Sequence, residues 1–235
     1  MSRLTRKELK SDKFALEVQH GVTYVSEHRQ QLIRWGGIGV AAVILAFAFF
    51  VYRSHERTVR QEALHQALQI QNATVGQQTG NQFLLTFPTD EARVTAAVKA
   101  FTDIAVKYPG TEEGALAEYF LGTNAADAGK YAESEQHFKK TIDYGNDNFS
   151  SVAKLALAKV DASDGKVADG EKLIQSVIDH PTVLVSKEQA TLALGELLAK
   201  SDAQRACKLL IPLRSSPRGP ISKTAINDAS EIPCK

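Results

Sequence analysis

Apolar and polar positions follow two different rules along this chain. From Trp35 to Tyr52 the run WGGIGVAAVILAFAFFVY holds no charged residue, and Arg34 and Arg53 close it at either end. A bilayer core about 30 Å thick takes roughly 20 apolar residues as a helix rising about 1.5 Å per residue, so the run predicts one membrane span over 35–52. Trp35 and Tyr52 stand at its two ends, where amphipathic rings favour the headgroup level. A buried core helix would also be apolar, but it would be shorter or carry a polar stripe that this run lacks. The following stretch, RSHERTVRQEALHQALQIQNA, has no Gly or Pro and places Val59, Ala63, Leu64, Ala67, Leu68 and Ile70 on one face. It predicts a helix leaving the membrane over 53–76, ended by Gly76 and Gly80. The residues 77–88 read as loop, and Thr89 caps the next helix with Asp90 and Glu91 in its first turn.

From 89 to 214 the apolar pattern repeats itself. Leu121-Gly122, Gly129, Tyr131 and Phe138 are followed by Leu157-Ala158, Gly165, Val167 and Ile174, an offset of 36 between Gly129 and Gly165. A third pair begins at Leu194-Gly195, and upstream Phe101 is placed like Phe138, with Pro109 closing its helix. Helix–turn–helix units repeating near 34 residues are the mark of tetratricopeptide arrays, in which neighbours stack because no pair hides its apolar face alone. Gly122 and Ala158 are expected where helices approach closely, and Gly129 and Gly165 at turns that need a left-handed backbone. Tyr131, Phe138 and Ile174 are then core contacts. The predicted fold is all-α: an N-terminal transmembrane helix followed by a tetratricopeptide-repeat α-solenoid, with a cap or tail over 215–235.

Charge bears on orientation and partners. The chain has 28 Lys and Arg against 27 Asp and Glu, too even a balance for the clustered basic face of a nucleic-acid protein. The leader 1–34 carries seven basic and four acidic residues, a net +3, and leaves −2 for the remainder. The positive-inside rule then favours a cytoplasmic leader and an extracytoplasmic C-terminal part, against the pull of Arg53, Arg57 and Arg60 on the other flank. A leader of this length and the Arg53-Ser-His-Glu56 flank fit an uncleaved signal anchor. Within the leader, Thr5 and Glu8 have capping-box spacing, and Phe14, Val18, Val22 and Val25 recur at helical intervals. Cys207 and Cys234 could close a disulfide outside the cytoplasm or stay as two separate thiols.

On the Leu121-Gly122…Gly129…Tyr131…Phe138 spacing and this order of segments, the chain resembles the YfgM-like family of single-span tetratricopeptide proteins, ancillary subunits of the SecYEG translocon. The resemblance implies repeats held in the bacterial periplasm on an inner-membrane anchor, with translocon subunits and periplasmic chaperones as partners. It also implies a groove lined by the first helix of each pair. Its positions fall on Leu116, Tyr119, Thr123, Ala126 and Asp127, then Val152, Leu155, Lys159, Ala162 and Ser163, then Gln189, Leu192, Glu196, Ala199 and Lys200. With no Lys/Arg cluster to clamp a terminal carboxylate, extended or helical hydrophobic segments are the expected guests.

The sequence offers little to a catalytic reading. Gly122…Gly129-Lys130 mimics a phosphate loop, but six residues separate the glycines and Tyr131 stands where Ser or Thr is needed. Asp161-Ala-Ser-Asp164-Gly165 lacks the alternating ligands of a calcium loop, and the six histidines show no metal-ligand spacing. No enzyme activity, cofactor, metal or small-molecule substrate is expected. The leading expectation is a non-catalytic membrane-anchored scaffold. Two others stay open: a self-assembling membrane protein, using small-xxx-small pairs such as Gly37 and Ala41, and a cytoplasm-facing receptor for targeting sequences.

Overall fold

The structure, a computed structural model, describes residues 29–76, 85–215, 219–232 and 234. The helical leader expected from Thr5, Glu8 and the Phe14–Val25 stripe lies outside these residues. The chain divides into two compact units, one ending at Thr58 and one beginning at Val59.

In the first unit the described residues are all helical and belong to α1 (Arg29–Gln71). Every side chain described from Arg34 to Val51 is exposed, Trp35, Ile44, Phe47 and Phe50 among them. A helix this apolar with no protein against it is long and apolar enough to cross a membrane, and it is not the core helix of a globular domain.

Among its described residues the second unit holds the end of α1 and eight more helices: α2 (Asp90–Lys107), α3 (Glu112–Asp127), α4 (Tyr131–Tyr144), α5 (Asp147–Ser163), α6 (Val167–Asp179), α7 (Lys187–Leu198), α8 (Ala203–Leu213) and α9 (Gly219–Glu231). They form helical hairpins in chain order: the α1 end with α2, then α3–α4, α5–α6 and α7–α8, with α9 on α8. Side chains cap the starts. Thr89, Thr111, Asn146, Ser186 and Asp202 accept from the backbone N–H three residues on, at Ala92, Gly114, Phe149, Gln189 and Arg205.

The turns inside the middle two hairpins are Schellman motifs. Lys130 N–H donates to Ala125 O at 2.9 Å and Gly129 N–H to Ala126 O at 2.9 Å; Lys166 and Gly165 repeat the pattern onto Asp161 and Ala162. Gly129 and Gly165 have φ of +73° and +81°, as expected. The helix leaving the membrane is shorter than expected, ending at Gln71 and not at 76. There Asn72 turns its side-chain amide back onto Leu68 O at 2.9 Å, and the β-branched Thr74 and Val75 leave the helix. At the end of the expected helix, β1 (Thr74–Val75) pairs in parallel with β2 (Thr86–Phe87), which lies in the expected loop.

The core repeats with the sequence. Phe101, Phe138, Ile174 and Leu210 lie 37, 36 and 36 residues apart, and none is more than 2% exposed. Each of the last three belongs to the second helix of its hairpin, and a small residue faces two of them directly. A Cβ on Gly122 would meet the Phe138 ring at 2.8 Å, and one on Gly195 would meet Leu210 Cδ2 at 2.5 Å. In the middle hairpin the closeness is met from the other side, since a Cβ on Gly170 would lie 2.7 Å from Ala158 O. Ser134, at the position equivalent to Gly170, donates its buried hydroxyl to Gly122 O at 2.7 Å. The end of α1 is held by polar contacts as well: Arg60 Nε to Glu113 Oε2 at 3.1 Å, and Asn124 Nδ2 to Gln71 Oε1 at 3.2 Å. Cys207 of α8 and Cys234 form a disulfide, which decides between the two readings of the cysteine pair.

Two substitutions test this packing. Gly122→Val forces the Phe138 ring out of place and should cost about 2 kcal/mol, lowering the melting temperature by roughly 4–8 °C; an unchanged circular-dichroism melt would remove the close approach from the account. Gly129→Ala meets no atom within 4 Å, so its whole cost is backbone strain at φ +73°, on the order of 1 kcal/mol, and Gly129→Asn should cost less. Equal melts for the two would contradict a left-handed turn.

Candidate protein-binding groove

The first helices of successive hairpins, α3, α5 and α7, carry the residues named from the sequence, and between them the surface is hollowed. One depression of about 340 Å³ is walled by Tyr119 of α3, Val152, Leu155, Ala156 and Lys159 of α5, and Gln189, Leu192, Ala193 and Glu196 of α7. Leu184 and Val185, from the connection between α6 and α7, complete it. A second depression, also about 340 Å³, adjoins it and takes in Ala162, Ser163, Val167, Leu197, Lys200 and Ser201. Lys159 and Glu196 belong to both.

The sequence-derived residues divide accordingly. Tyr119, Val152, Leu155, Lys159, Ala162, Ser163, Gln189, Leu192, Glu196 and Lys200 line the two depressions. Leu116, Thr123, Ala126, Asp127 and Ala199 do not: Leu116 and Ala126 are half-buried on α3, Thr123 spends its hydroxyl on Tyr119 O at 3.1 Å, Asp127 is exposed at the last residue of α3, and Ala199 is half-buried just past the end of α7. The first four share α3 with Tyr119, and the family's groove positions grouped them although the hollow reaches only one residue of that helix.

The electrostatics of the hollow are mild. Lys159 Nζ and Glu196 Oε2 stand 4.0 Å apart across the boundary between the depressions. Burial pushes the Glu196 carboxyl above its ordinary range; Lys159 opposes this and Asp228 of α9 adds to it. Burial likewise raises the Tyr119 phenol. Its ring is seated against Phe138 and Phe120, each with centroids 5.6 Å away, so the core fixes it from beneath. Apolar walls with one opposite-charge pair suit a largely uncharged segment, whose backbone N–H and C=O could meet Glu196 and Lys159.

Sequence reasoning missed the wall made by the α6–α7 connection. The links between α2 and α3 and between α4 and α5 are short, whereas residues 180–186 make a longer one. It is held by Thr182 N–H to Val185 O at 2.9 Å, Val185 N–H to Thr182 Oγ1 at 3.2 Å, Val183 N–H to Asn148 Oδ1 at 3.2 Å, and the Ser151 and Thr182 hydroxyls 2.7 Å apart. Val183 is left 92% exposed. The signal was present as Val183-Leu184-Val185, an apolar run inside an inter-repeat link. Insertions of this kind in repeat arrays gather on one face.

The motifs weighed for chemistry resolve into packing. Gly122 and its neighbours are helical in α3, so no phosphate-binding loop exists between Gly122 and Gly129. Asp161 is buried inside α5 and its carbonyl accepts the Schellman bond. Among the described residues no three His, Cys, Asp or Glu side chains are grouped to hold a metal ion. A charged cluster, Glu118 with His137 at 2.5 Å and Lys140 at 3.1 Å, joins α3 to α4. Burial works to raise the Glu118 carboxyl, but the hydrogen bonds from His137 and Lys140 together hold it below its ordinary range.

The sequence model of one family, described as a tetratricopeptide repeat-like domain, matches residues 28–206. No curated protein and no solved structure matches the chain. The matched region takes in every hairpin from α1 to the start of α8, and the repeating core of Phe101, Phe138 and Ile174 lies inside it. On this match the chain belongs to the tetratricopeptide repeat-like family.

Proposed function

We propose that this protein is a non-catalytic, membrane-tethered scaffold that binds protein partners in the hollow between α3, α5 and α7. The observation that carries the reading is the convergence of ten of the fifteen groove positions named from the sequence, from three different hairpins, on two adjoining depressions. Repeat domains of this family serve protein–protein interaction, and their stacked helices leave one continuous face for it. Tethering through α1 would keep that face at high effective concentration beside membrane-bound partners, so modest contacts suffice.

The finer reading is an ancillary translocon subunit that links SecYEG to periplasmic chaperones, with the leader in the cytoplasm and the repeats outside it. The order of segments and the +3 leader support it. The Cys207–Cys234 bond supports the same side, because structural disulfides persist in oxidising compartments and are rare in the cytosol. The resemblance to the YfgM-like family supplies the partners.

The test is in-cell cross-linking from a photoreactive residue at position 119, with mass spectrometry of the adducts. Translocon subunits or periplasmic chaperones are the expected adducts. Adding Lys159→Glu, a change at an exposed groove residue, should cut their yield about tenfold while leaving the melt unchanged. Adducts confined to cytoplasmic proteins would overturn the orientation, and adducts only with itself would replace the scaffold by a self-assembling protein.

A further inference from the structure

The C-terminal helix α9 occupies an unusual place. It packs on α8 and also on α7, as α5 packs on α4 and α3, and as α7 packs on α6 and α5. It therefore stands where the first helix of another hairpin would stand, with no second helix behind it among the described residues. Its hold is slight: Ile221, Ala225 and, just beyond the helix, Ile232 are the apolar residues it brings into the core shared with α7 and α8. A helix of 13 residues is marginal by itself in water. Three residues past its end, Cys234 is bonded to Cys207, 27 residues back in α8. The cross-link thus encloses α9 and both its flanks, and within the second unit it constrains little else.

We propose that the Cys207–Cys234 bond is a redox-operated latch on α9. Oxidised, it holds the helix as a terminal cap over α7 and α8; reduced, the helix undocks while α2 to α6 stay folded. Closing a loop of this length removes enough freedom from the undocked chain to favour docking on the order of 100-fold. The reductant is a dithiol of the thiol–disulfide exchange class. Cys234 is the more open of the two cysteines, since Cys207 is 7% exposed and Cys234 only half-buried. A thiolate of the reductant attacks Cys234 Sγ, forms a mixed disulfide and releases the Cys207 thiolate. Its second thiol then displaces Cys234. Two electrons and two protons pass to the chain, leaving two cysteine thiols and a disulfide in the reductant. Asp228 of α9 is one of the charges acting on Glu196, so undocking also alters the central ion pair of the groove.

Amide hydrogen exchange of the full chain in detergent micelles, read by mass spectrometry with and without dithiothreitol, tests the latch. Reduction should accelerate exchange over 219–232 on the order of 100-fold and leave α3 to α6 unchanged. The Cys207→Ser/Cys234→Ser variant should show the reduced pattern with no reductant present. Unchanged exchange over 219–232, with full reduction verified by thiol alkylation, would mean that the cap docks without its bond and would overturn the proposal. Equal acceleration across α3 to α6 would also overturn it, making the bond a staple of the whole domain. So would two free thiols in the oxidised preparation.

Discussion

The repeat domain depends on how near two short helices can come. A hairpin such as α3–α4 spans Glu112 to Tyr144 and cannot enclose a core by itself. What it can do is let one large side chain sit under the partner helix, if that partner has no side chain at the crossing. Gly122 over Phe138 and Gly195 over Leu210 are that arrangement, and Ser134 donating to Gly122 O adds a buried hydrogen bond to the first of them. In the α5–α6 hairpin Ala158 takes the glycine's place, and the missing volume is recovered at Gly170, which passes beneath the Ala158 carbonyl. A close approach is kept by exchanging which helix gives way. This explains why the middle repeat departs from the pattern in sequence without departing from it in fold.

Close packing inside the hairpins also determines where a partner could bind. The second helices α4 and α6 spend Phe138 and Ile174 on the core, whereas α5 and α7 still present Leu155, Lys159, Gln189 and Glu196 outward. Tyr119 joins both roles, because the Phe138 ring that fills the crossing also supports the Tyr119 ring in the groove. A change in the core at Phe138 would therefore be felt in the groove by direct contact.

Much of this was legible beforehand because the physics is local and periodic. The offset from Gly129 to Gly165 gave the hairpin turns, and Thr89 before Asp90-Glu91 gave a cap. Ten of the fifteen groove positions that the family resemblance implied line the two depressions. What was not legible depended on contacts between segments distant in the chain. The α6–α7 wall exists because Asn148 and Ser151 of α5 hold residues 182–185, a contact no periodicity encodes. The early end of α1 turns on Asn72 and on the pairing of Thr74 with Thr86. The cysteine pairing required knowing that α9 folds back onto α8, which places the two Cα atoms 5.5 Å apart.

An array of nearest-neighbour contacts has two ends, and each end lacks a neighbour that every inner hairpin possesses. At the N-terminal end the missing surface is covered by residues 59–71 of α1, whose Ala67 is fully buried with Phe101 and Leu121 and whose Arg60 is paired with Glu113. That end is the continuation of the long apolar helix, so it needs no separate cap. At the C-terminal end the cover is α9, which brings Ile221 and Ala225 into the core and has a covalent tie in place of a continuous helix. The two solutions differ in reversibility. Undoing the first requires melting a helix that is hydrogen-bonded along its whole length, whereas undoing the second requires one exchange reaction at sulfur. If the repeat domain is to yield anywhere while keeping its groove folded, its chemistry favours the end beside α8.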